Sequence, residues 1–579
     1  MLLFFFALFG VAVAFGVPHG NGQLRQWLCE ADPSICSPVA SDAHSMVKTY
    51  FEAFAKKLSS SYLQSDPSLP IEELLLHLQA ARATTSTSAA QDPPYYGFIP
   101  WSLGHATSTA PLKVTSPACQ REVKFSTAVA PTNVQVTIEG IGADPVNCTS
   151  SFFFTLGSKS TTVTFAHQQP STLFNLTYDG SDPAALWDVE HKGVRVFENP
   201  SADPAIGFND AVDTLLLFLP LLLNHLDNVS AVHNAYFLSN YSLMTPYTVP
   251  RGSFSTPDIP FKSGDLLAKM SLDGLGPTES FAQGTTSGHT VIVLMNETDG
   301  QWYMCESVEV GITCAESSAW YLQMSLVGAA VVWVPLHPVL SAQFNLTAAW
   351  SHVNQMLGNS YGYFNFFFGW VDTLEDNYPC LPWKFSRCLT YDVVEYVMLM
   401  LDEEVHELAN TFFGQALNHR AQTGNLNGRI LDALHHAAVH LGIDDGRVLM
   451  SLPEQDAWRY NSTKRGVPGH VMLPSQVCSS FACSTLRAAG VFRQQIDDEI
   501  QCTEIDVYDI FSMKIFDAAQ FGSGRPSACV ESDPDNTLCQ LTGTWTFNLI
   551  QNVNTRPLSR NMSQHCASRN PSPYNHTGC

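Results

Sequence analysis

The chain has 579 residues, with 29 Lys or Arg against 53 Asp or Glu, so its formal charge is −24. That charge excludes non-specific binding to nucleic acid, whose phosphates would repel the protein. The composition, 45% hydrophobic and only 14% charged, excludes a disordered chain and a coiled coil, and the length predicts about two to four globular domains.

The first residues predict export. Residues 1–14 are almost purely apolar and end in the small residues AVA, which is typical of a secretory signal peptide and its cleavage site. An uncleaved N-terminal anchor is the alternative. The next most apolar run, residues 215–223, is interrupted by Pro220 and falls short of the ~20 residues that cross a bilayer. No membrane span is therefore expected after signal removal.

Residues 20–110 show helical periodicity at residues 45–58 and 71–81, followed by a stretch of small polar residues. This pattern predicts a helical segment or propeptide plus a linker.

Residues 113–180 change to alternating and β-branched residues, as in VQVTI at 134–138 and TTVTF at 161–165. Short runs of this kind between Gly, Pro, Asn and Asp predict strands. We expect a small β-sandwich-like domain here.

Helices and strands mix over residues 187–545, which we assign to one catalytic domain, and residues 546–579 form a Cys-containing tail. The overall class is therefore α+β. Strands are predicted at residues 290–295 and 328–335, and helices at residues 347–356, 391–410 and 427–441.

Glycosylation sequons and cysteines agree with export. Asn-x-Ser/Thr occurs nine times along the chain, which predicts a glycosylated surface: Asn147, Asn175, Asn228, Asn240, Asn296, Asn345, Asn461, Asn561 and Asn575. The 15 cysteines favour an oxidising compartment, and their odd number leaves at least one thiol unless a bridge joins two chains.

Pairing each cysteine with its neighbour along the chain leaves Cys478 as the free thiol. Spacing does not determine connectivity, so this pairing is a hypothesis. The pairs are Cys29–Cys36, Cys119–Cys148, Cys305–Cys314, Cys380–Cys388, Cys483–Cys502, Cys529–Cys539 and Cys566–Cys579.

Several common catalytic motifs are missing. No phosphate-binding P-loop occurs, and the nearest approach to a serine-hydrolase G-x-S-x-G elbow has Thr286 at the nucleophile position. His436 and His440 have the spacing of two metal ligands on a helix, but Ala437 replaces the glutamate of a zinc protease. We favour a structural role for both histidines and expect no metal or organic cofactor.

A histidine and a glutamate begin the constellation that carries chemistry. His289 opens a strand-like run, and Glu306 lies in a second one a strand and a turn later. On neighbouring strands, the carboxylate can bond one imidazole nitrogen and fix its tautomer, which leaves the other nitrogen to act on a thiol. A histidine in this position alone is more often structural.

Cys478 adds a nucleophile. Residues 478–490 predict a helix that begins at this cysteine and ends at Gly490. The positive end of the helix dipole and a nearby imidazolium both favour the thiolate, which is the reactive form. A buried or disulfide-bonded cysteine is the alternative.

The order of these motifs resembles the circularly permuted papain-like (YaeF/YiiX-type) cysteine hydrolases. Their hallmark is a Gly-Asp strand, a His strand, a Glu strand and, much later, a Cys-Ser helix. The matching segments are residues 263–267 (SGDLL), 287–294 (SGHTVIVL), 302–307 (WYMCES) and 477–492. A eukaryotic branch of this family is also similar in three further segments, residues 361–373, 453–458 and 503–506. The resemblance covers about residues 263–543.

The resemblance implies a permuted papain-like domain with Cys478 as nucleophile, His289 as base and Glu306 orienting the base. An aromatic residue often precedes the cysteine in the family, whereas Gln476 and Val477 stand here. The backbone N–H of Cys478 is the first expected oxyanion donor, and the Gln476 amide is a second candidate.

Aromatic residues provide candidates for an acyl-binding wall, although most are expected in the core: Tyr361, Tyr363, Phe364, Phe367 and Trp370. The acidic residues nearest the motif are expected to cap helices or bond loops rather than act as catalytic acids: Glu454, Asp456, Glu504 and Asp509.

The sequence thus favours a secreted or lysosomal thiol hydrolase or protease that cleaves an amide or ester through an acyl-enzyme on Cys478. Its partner would be a peptide, N-acyl or lipid acyl substrate, and the oligomeric state is not indicated. Two alternatives stay open: a lipid acyltransferase or phospholipase with the same thiol chemistry, and a catalytically silent ligand-binding glycoprotein.

Overall fold

A computed structural model describes residues 99–141, 147–200, 390–404, 406–492 and 500–532, most of 259–368 and of 537–546, and a few isolated positions. The predicted signal peptide, the helical segment before residue 99, Phe367, Trp370 and the sequons at Asn228, Asn240, Asn561 and Asn575 lie outside these residues.

The elements confirm an α+β protein. The strands are β1 (Trp101–Ala106), β2 (Leu112–Thr115), β3 (Glu122–Ala130), β4 (Asn133–Gly140), β5 (Thr149–Leu156), β6 (Lys159–Ala166), β7 (Ser171–Thr177), β8 (Val194–Glu198), β9 (Tyr247–Thr248), β10 (Leu266–Met270), β11 (His289–Asn296), β12 (Gln301–Val308), β13 (Gly311–Glu316), β14 (Ala330–Val334), β15 (Tyr460–Lys464), β16 (Val467–Leu473), β17 (Cys539–Thr542) and β18 (Trp545–Thr546).

The α-helices are α1 (Pro183–His191), α2 (Ser317–Leu326), α3 (Pro338–Gln343), α4 (Leu346–Met356), α5 (Tyr363–Phe366), α6 (Tyr391–Glu404), α7 (His406–Ala409), α8 (Gln415–Arg420), α9 (Ile430–His436), α10 (Gly446–Met450), α11 (Cys478–Ala488), α12 (Val507–Ser512) and α13 (Ser527–Ser532). The predicted helices at 347–356 and 478–490 are confirmed as α4 and α11. Those at 391–410 and 427–441 are helical but continue into π-helical turns, Asn410–Gly414 and Ala437–Leu441.

The chain divides into two compact units, the first formed by residues 1–223 and 383–449 and the second by residues 224–382 and 450–579. This division differs from the single domain expected over residues 187–545, because the segment that contains α6 to α9 belongs to the first unit.

The first unit contains two four-stranded antiparallel sheets, in the orders β1-β8-β5-β6 and β2-β3-β4-β7. Alternate residues of both sheets fill one core, which includes Phe125, Phe152 and Phe154. β1 starts at Trp101, earlier than the β-rich region expected from residue 113.

Helix α6 packs on the other face of the first of these sheets. The buried Arg195 guanidinium on β8 donates to Glu395 of α6 at 2.6 Å and to Asp188 of α1 at 2.9 Å. The ring of Tyr396 meets Phe153 edge to face, with centroids 5.2 Å apart. These buried contacts explain why residues far along the chain join the first unit.

The second unit is built on a six-stranded antiparallel sheet in the order β13-β12-β11-β10-β14-β17. Its strands are apolar on both faces, and alternate residues separate into two cores. Ile292 and Leu294 of β11 pack with α11 and α4 on one face, whereas Val291 and Val293 pack with α2 on the other. The strands predicted at 290–295 and 328–335 are confirmed as β11 and β14.

Asp265 anchors the start of β10. Its buried carboxylate accepts hydrogen bonds from the backbone N–H of Lys262 and Leu336 and from the indole N–H of Trp333, all at 2.9 Å. Gly264 before it has φ +96°, and a Cβ there would lie 2.6 Å from the Phe344 ring. The Gly-Asp motif therefore has a structural explanation.

Four disulfides cross-link the described residues, and all four match the neighbour pairing: Cys119–Cys148, Cys305–Cys314, Cys483–Cys502 and Cys529–Cys539. Cys478 is the free cysteine among the described residues, as expected. The other three proposed pairs lie outside them. The four disulfides fit an extracellular or lumenal protein. No helix in the described ranges is both long and apolar enough to cross a membrane.

Candidate active site

Cys478 is the first residue of α11 in the second unit. Val477 before it is extended, with φ −78° and ψ 179°, and no side chain caps the helix. The cysteine is 3% exposed, so its sulfur lies at the positive end of the helix dipole with little bulk water around it.

His289 is the first residue of β11, and its side chain is 15% exposed. Ser287 fixes the chain before it, because the Ser287 hydroxyl lies 2.8 Å from the His289 carbonyl and 3.0 Å from that of Lys269. The Nε2 atom of the ring lies 2.7 Å from a Glu306 carboxylate oxygen. Because Nε2 is engaged by Glu306, Nδ1 is the ring nitrogen left to act on Cys478, whose proximity raises the pKa of the imidazole.

Glu306 lies on β12, next to β11 in the sheet. One carboxylate oxygen bonds His289, and the other accepts a hydrogen bond of 2.6 Å from the indole N–H of Trp320 on α2. Burial by itself would raise the pKa of Glu306. The hydrogen bond and charge of His289, the charge of Lys269 and the Trp320 bond outweigh it and lower that pKa to about 2.

The neighbours of His289 favour its protonated form. Burial by itself lowers the pKa of the imidazole, but the charge of Cys478, the hydrogen bond to it and the bond to Glu306 together raise the pKa to about 10. The positive charge of Lys269 lowers the pKa of His289. The three residues expected from the sequence therefore lie close together: Glu306 is hydrogen-bonded to His289, and Cys478 is near enough to raise the pKa of the imidazole.

The segment before the cysteine is fixed by its main chain. The Gln476 carbonyl accepts hydrogen bonds from the Ser307 hydroxyl at 2.8 Å and from the Gly362 N–H at 3.0 Å. A Cβ on Gly362 would lie 2.5 Å from Gln476 backbone atoms, so only glycine permits this approach. The Gln476 amide donates to the Ser484 hydroxyl at 2.9 Å, which uses one of its two N–H bonds. Its oxyanion role stays a prediction.

The aromatic residues flank this segment. Tyr361 and Phe364 are buried and Tyr363 is half-buried. The rings of Tyr361 and Tyr363 have centroids 4.9 Å apart, and Phe364 stacks on Tyr460 at 4.9 Å. Phe364 is thus a packed core residue, whereas Tyr361 and Tyr363 lie on either side of Gly362, next to the cysteine segment.

The four acidic candidates make the structural bonds expected of them. Asp456 accepts from the backbone N–H of Thr503 at 2.8 Å, and Glu504 accepts from that of Glu454 at 2.5 Å. Asp509 completes a capping box with Asp506 at the start of α12.

His436 and His440 lie in the first unit with ring centroids 4.3 Å apart. Within the described ranges, no group of three or more His, Cys, Asp or Glu side chains could hold a metal ion.

The sequence reasoning missed two neighbours of the site, Trp320 and Lys269. The helix that carries Trp320 was not predicted, and Lys269 is placed only by the register of β10 with β11. Comparisons with family models, curated proteins and solved structures find no match for this chain.

Proposed function

We propose that this protein is a cysteine-dependent hydrolase that cleaves an amide or ester bond through an acyl-enzyme on Cys478. The observation that carries the proposal is the 2.7 Å hydrogen bond between His289 and Glu306, with Cys478 near enough to raise the pKa of the imidazole. A thiol at a helix start, a base beside it and a carboxylate behind the base are the parts that nucleophilic catalysis needs.

In the first step, His289 accepts the Cys478 proton and the thiolate attacks the substrate carbonyl. The carbonyl oxygen becomes an anion near the Cys478 backbone N–H, which is unpaired within its own helix because it lies in the first turn. The imidazolium then gives its proton to the leaving amine or alcohol, and the acyl group stays on sulfur.

In the second step, water attacks the thioester while His289 takes one of its protons, and the thiol is restored. The Glu306 carboxylate stabilises the imidazolium in both steps and holds the ring with Nδ1 toward sulfur. A lipid acyltransferase would differ at this step, because an alcohol or amine would replace water.

A secreted or lysosomal location is part of the proposal. The disulfides support it, as do the exposed sequons at Asn147, Asn175 and Asn345. Asn296 and Asn461 are half-buried, so the first three are the better acceptor sites.

The test is alkylation of the unreduced protein with iodoacetamide, followed by peptide mapping. We expect Cys478 to be labelled, and labelling to slow at least tenfold in His289→Asn but not in His470→Asn, which alters an exposed histidine of the same unit. Cys478→Ala should abolish hydrolysis in a panel of peptide amides, N-acyl amines and lipid esters. Folded protein whose Cys478 does not react, or reacts independently of His289, would refute the proposal.

A further inference from the structure

A lysine lies directly across the sheet from the proposed base. Lys269 of β10 and His289 of β11 are register partners in an antiparallel pair, so both side chains leave the same face of the sheet. Directly opposed residues have Cβ atoms about 4.5–5.5 Å apart. The charge of Lys269 acts on both His289 and Glu306, which agrees with an ammonium close to the site.

This ammonium has no bonded partner within the ranges that the structure describes, although the chain is rich in carboxylates. Lys269 is half-buried. The other described lysines are either exposed or bonded: Lys124 to Glu139, Lys192 to the Asp444 carbonyl and Lys464 to the Gln355 carbonyl, for example. A partly desolvated cation without a directly bonded counter-ion is unfavourable, although the charge of Lys269 also favours the ionised form of Glu306.

The position of Lys269 is also unfavourable for the site when no substrate is bound. The charge of Lys269 opposes the protonation of His289, which the neighbouring sulfur and carboxylate favour. Glu306 makes its ion pair with His289 and bonds Trp320 through its other oxygen, and no ion pair joins it to Lys269 within the described residues. An anion that arrives with the substrate would compensate both costs.

We propose that Lys269 binds a carboxylate of the substrate, next to the scissile carbonyl. This inference rests on the proposed function and narrows it to peptides or N-acyl amino acids that carry a free carboxylate beside the reacting amide. An ammonium is a compact point charge on a flexible stem, and it suits a single carboxylate partner.

The test compares two alkylating reagents of nearly equal size, iodoacetate and neutral iodoacetamide. In both reactions the Cys478 sulfur forms a bond to carbon and iodide leaves, but only iodoacetate places a carboxylate beside the sulfur. The ratio of the two rate constants cancels any change in the reactivity of the thiol itself.

In Lys269→Met we expect the iodoacetate-to-iodoacetamide ratio to fall about fivefold or more. Lys269→Arg and Lys514→Met, which removes an exposed lysine of the same unit, should keep the wild-type ratio. Added salt should lower the ratio more steeply in the wild type than in Lys269→Met. Lys269→Gln provides a second neutral variant if the methionine variant does not fold.

An unchanged ratio in the neutral variants would overturn this inference while leaving the hydrolase proposal intact. Absence of His289-dependent alkylation by either reagent would overturn both. With substrates, an N-acyl amino acid should lose its advantage in kcat/KM over its carboxamide analogue in Lys269→Met, and equal losses for the two would contradict the role.

Discussion

His289 and Glu306, 17 positions apart, are joined by a 2.7 Å hydrogen bond through Nε2 of the ring. Because this bond engages Nε2, Nδ1 is the ring nitrogen left to act on Cys478. A carboxylate behind an imidazole both orients the ring and stabilises its cation. The two residues thus form a unit in which the hydrogen bond to Glu306 helps to keep the proton on His289.

Replacing Glu306 with Gln should slow Cys478 alkylation and turnover about 10- to 100-fold, because the imidazolium loses its anionic partner. In the wild type, the pKa of His289 is raised to about 10, so activity that needs the protonated ring should persist until pH approaches 10. In Glu306→Gln this alkaline limit should move to lower pH. Turnover rates of the wild type and of Glu306→Gln, measured between pH 5 and 11, check this shift of the alkaline limit.

Trp320→Phe is the matched control for that experiment. It removes the indole N–H that bonds Glu306 but leaves the carboxylate. The pKa of Glu306 should then rise from about 2, so the acid limit of activity moves up while the alkaline limit stays near that of the wild type. A common shift of both limits in the two variants would contradict separate roles for the carboxylate and the indole.

Asp265 gives a prediction about stability that is independent of catalysis. Asp265→Ala leaves three N–H donors without their acceptor, so the free energy of unfolding of the second unit should fall by about 3 kcal/mol. Burial raises the pKa of Asp265 from 3.8 to about 6, despite those bonds. A raised pKa stabilises the fold below pH 3.8, and this contribution is lost as pH rises through about 6.

The difference in unfolding free energy between wild type and Asp265→Ala should therefore be larger at pH 4 than at pH 8. Urea unfolding at both values measures it. A difference that grows with pH would mean that the folded protein favours the charged carboxylate, contrary to its burial.

Much of the site could be predicted because each residue has a local signal. Cys478 begins a helical run that ends at a glycine, and His289 and Glu306 lie in strand-like runs. Pairing each cysteine with its neighbour along the chain predicts the four described disulfides correctly, because each disulfide closes a short loop.

What escaped prediction depends on contacts between distant positions. Lys269 enters the site through strand register, and Trp320 through the packing of α2, neither of which leaves a mark in the local sequence. The assignment of α6 to the first unit depends on Glu395 meeting Arg195, 200 positions earlier. No periodicity within a short window reports such a pair.

The disulfide Cys483–Cys502 ties the helix that begins at Cys478 to the loop after it, across 19 positions. Replacing both cysteines with Ala should destabilise the protein by about 3 kcal/mol, because the unfolded chain regains the freedom of that loop. Since α11 begins at Cys478, the proposed nucleophile, Cys478 alkylation should also slow several-fold. The double replacement of Cys119 and Cys148, a pair of the first unit, should cost similar stability and leave that rate unchanged. Equal alkylation rates in both double variants would show that the helix keeps its position without the cross-link.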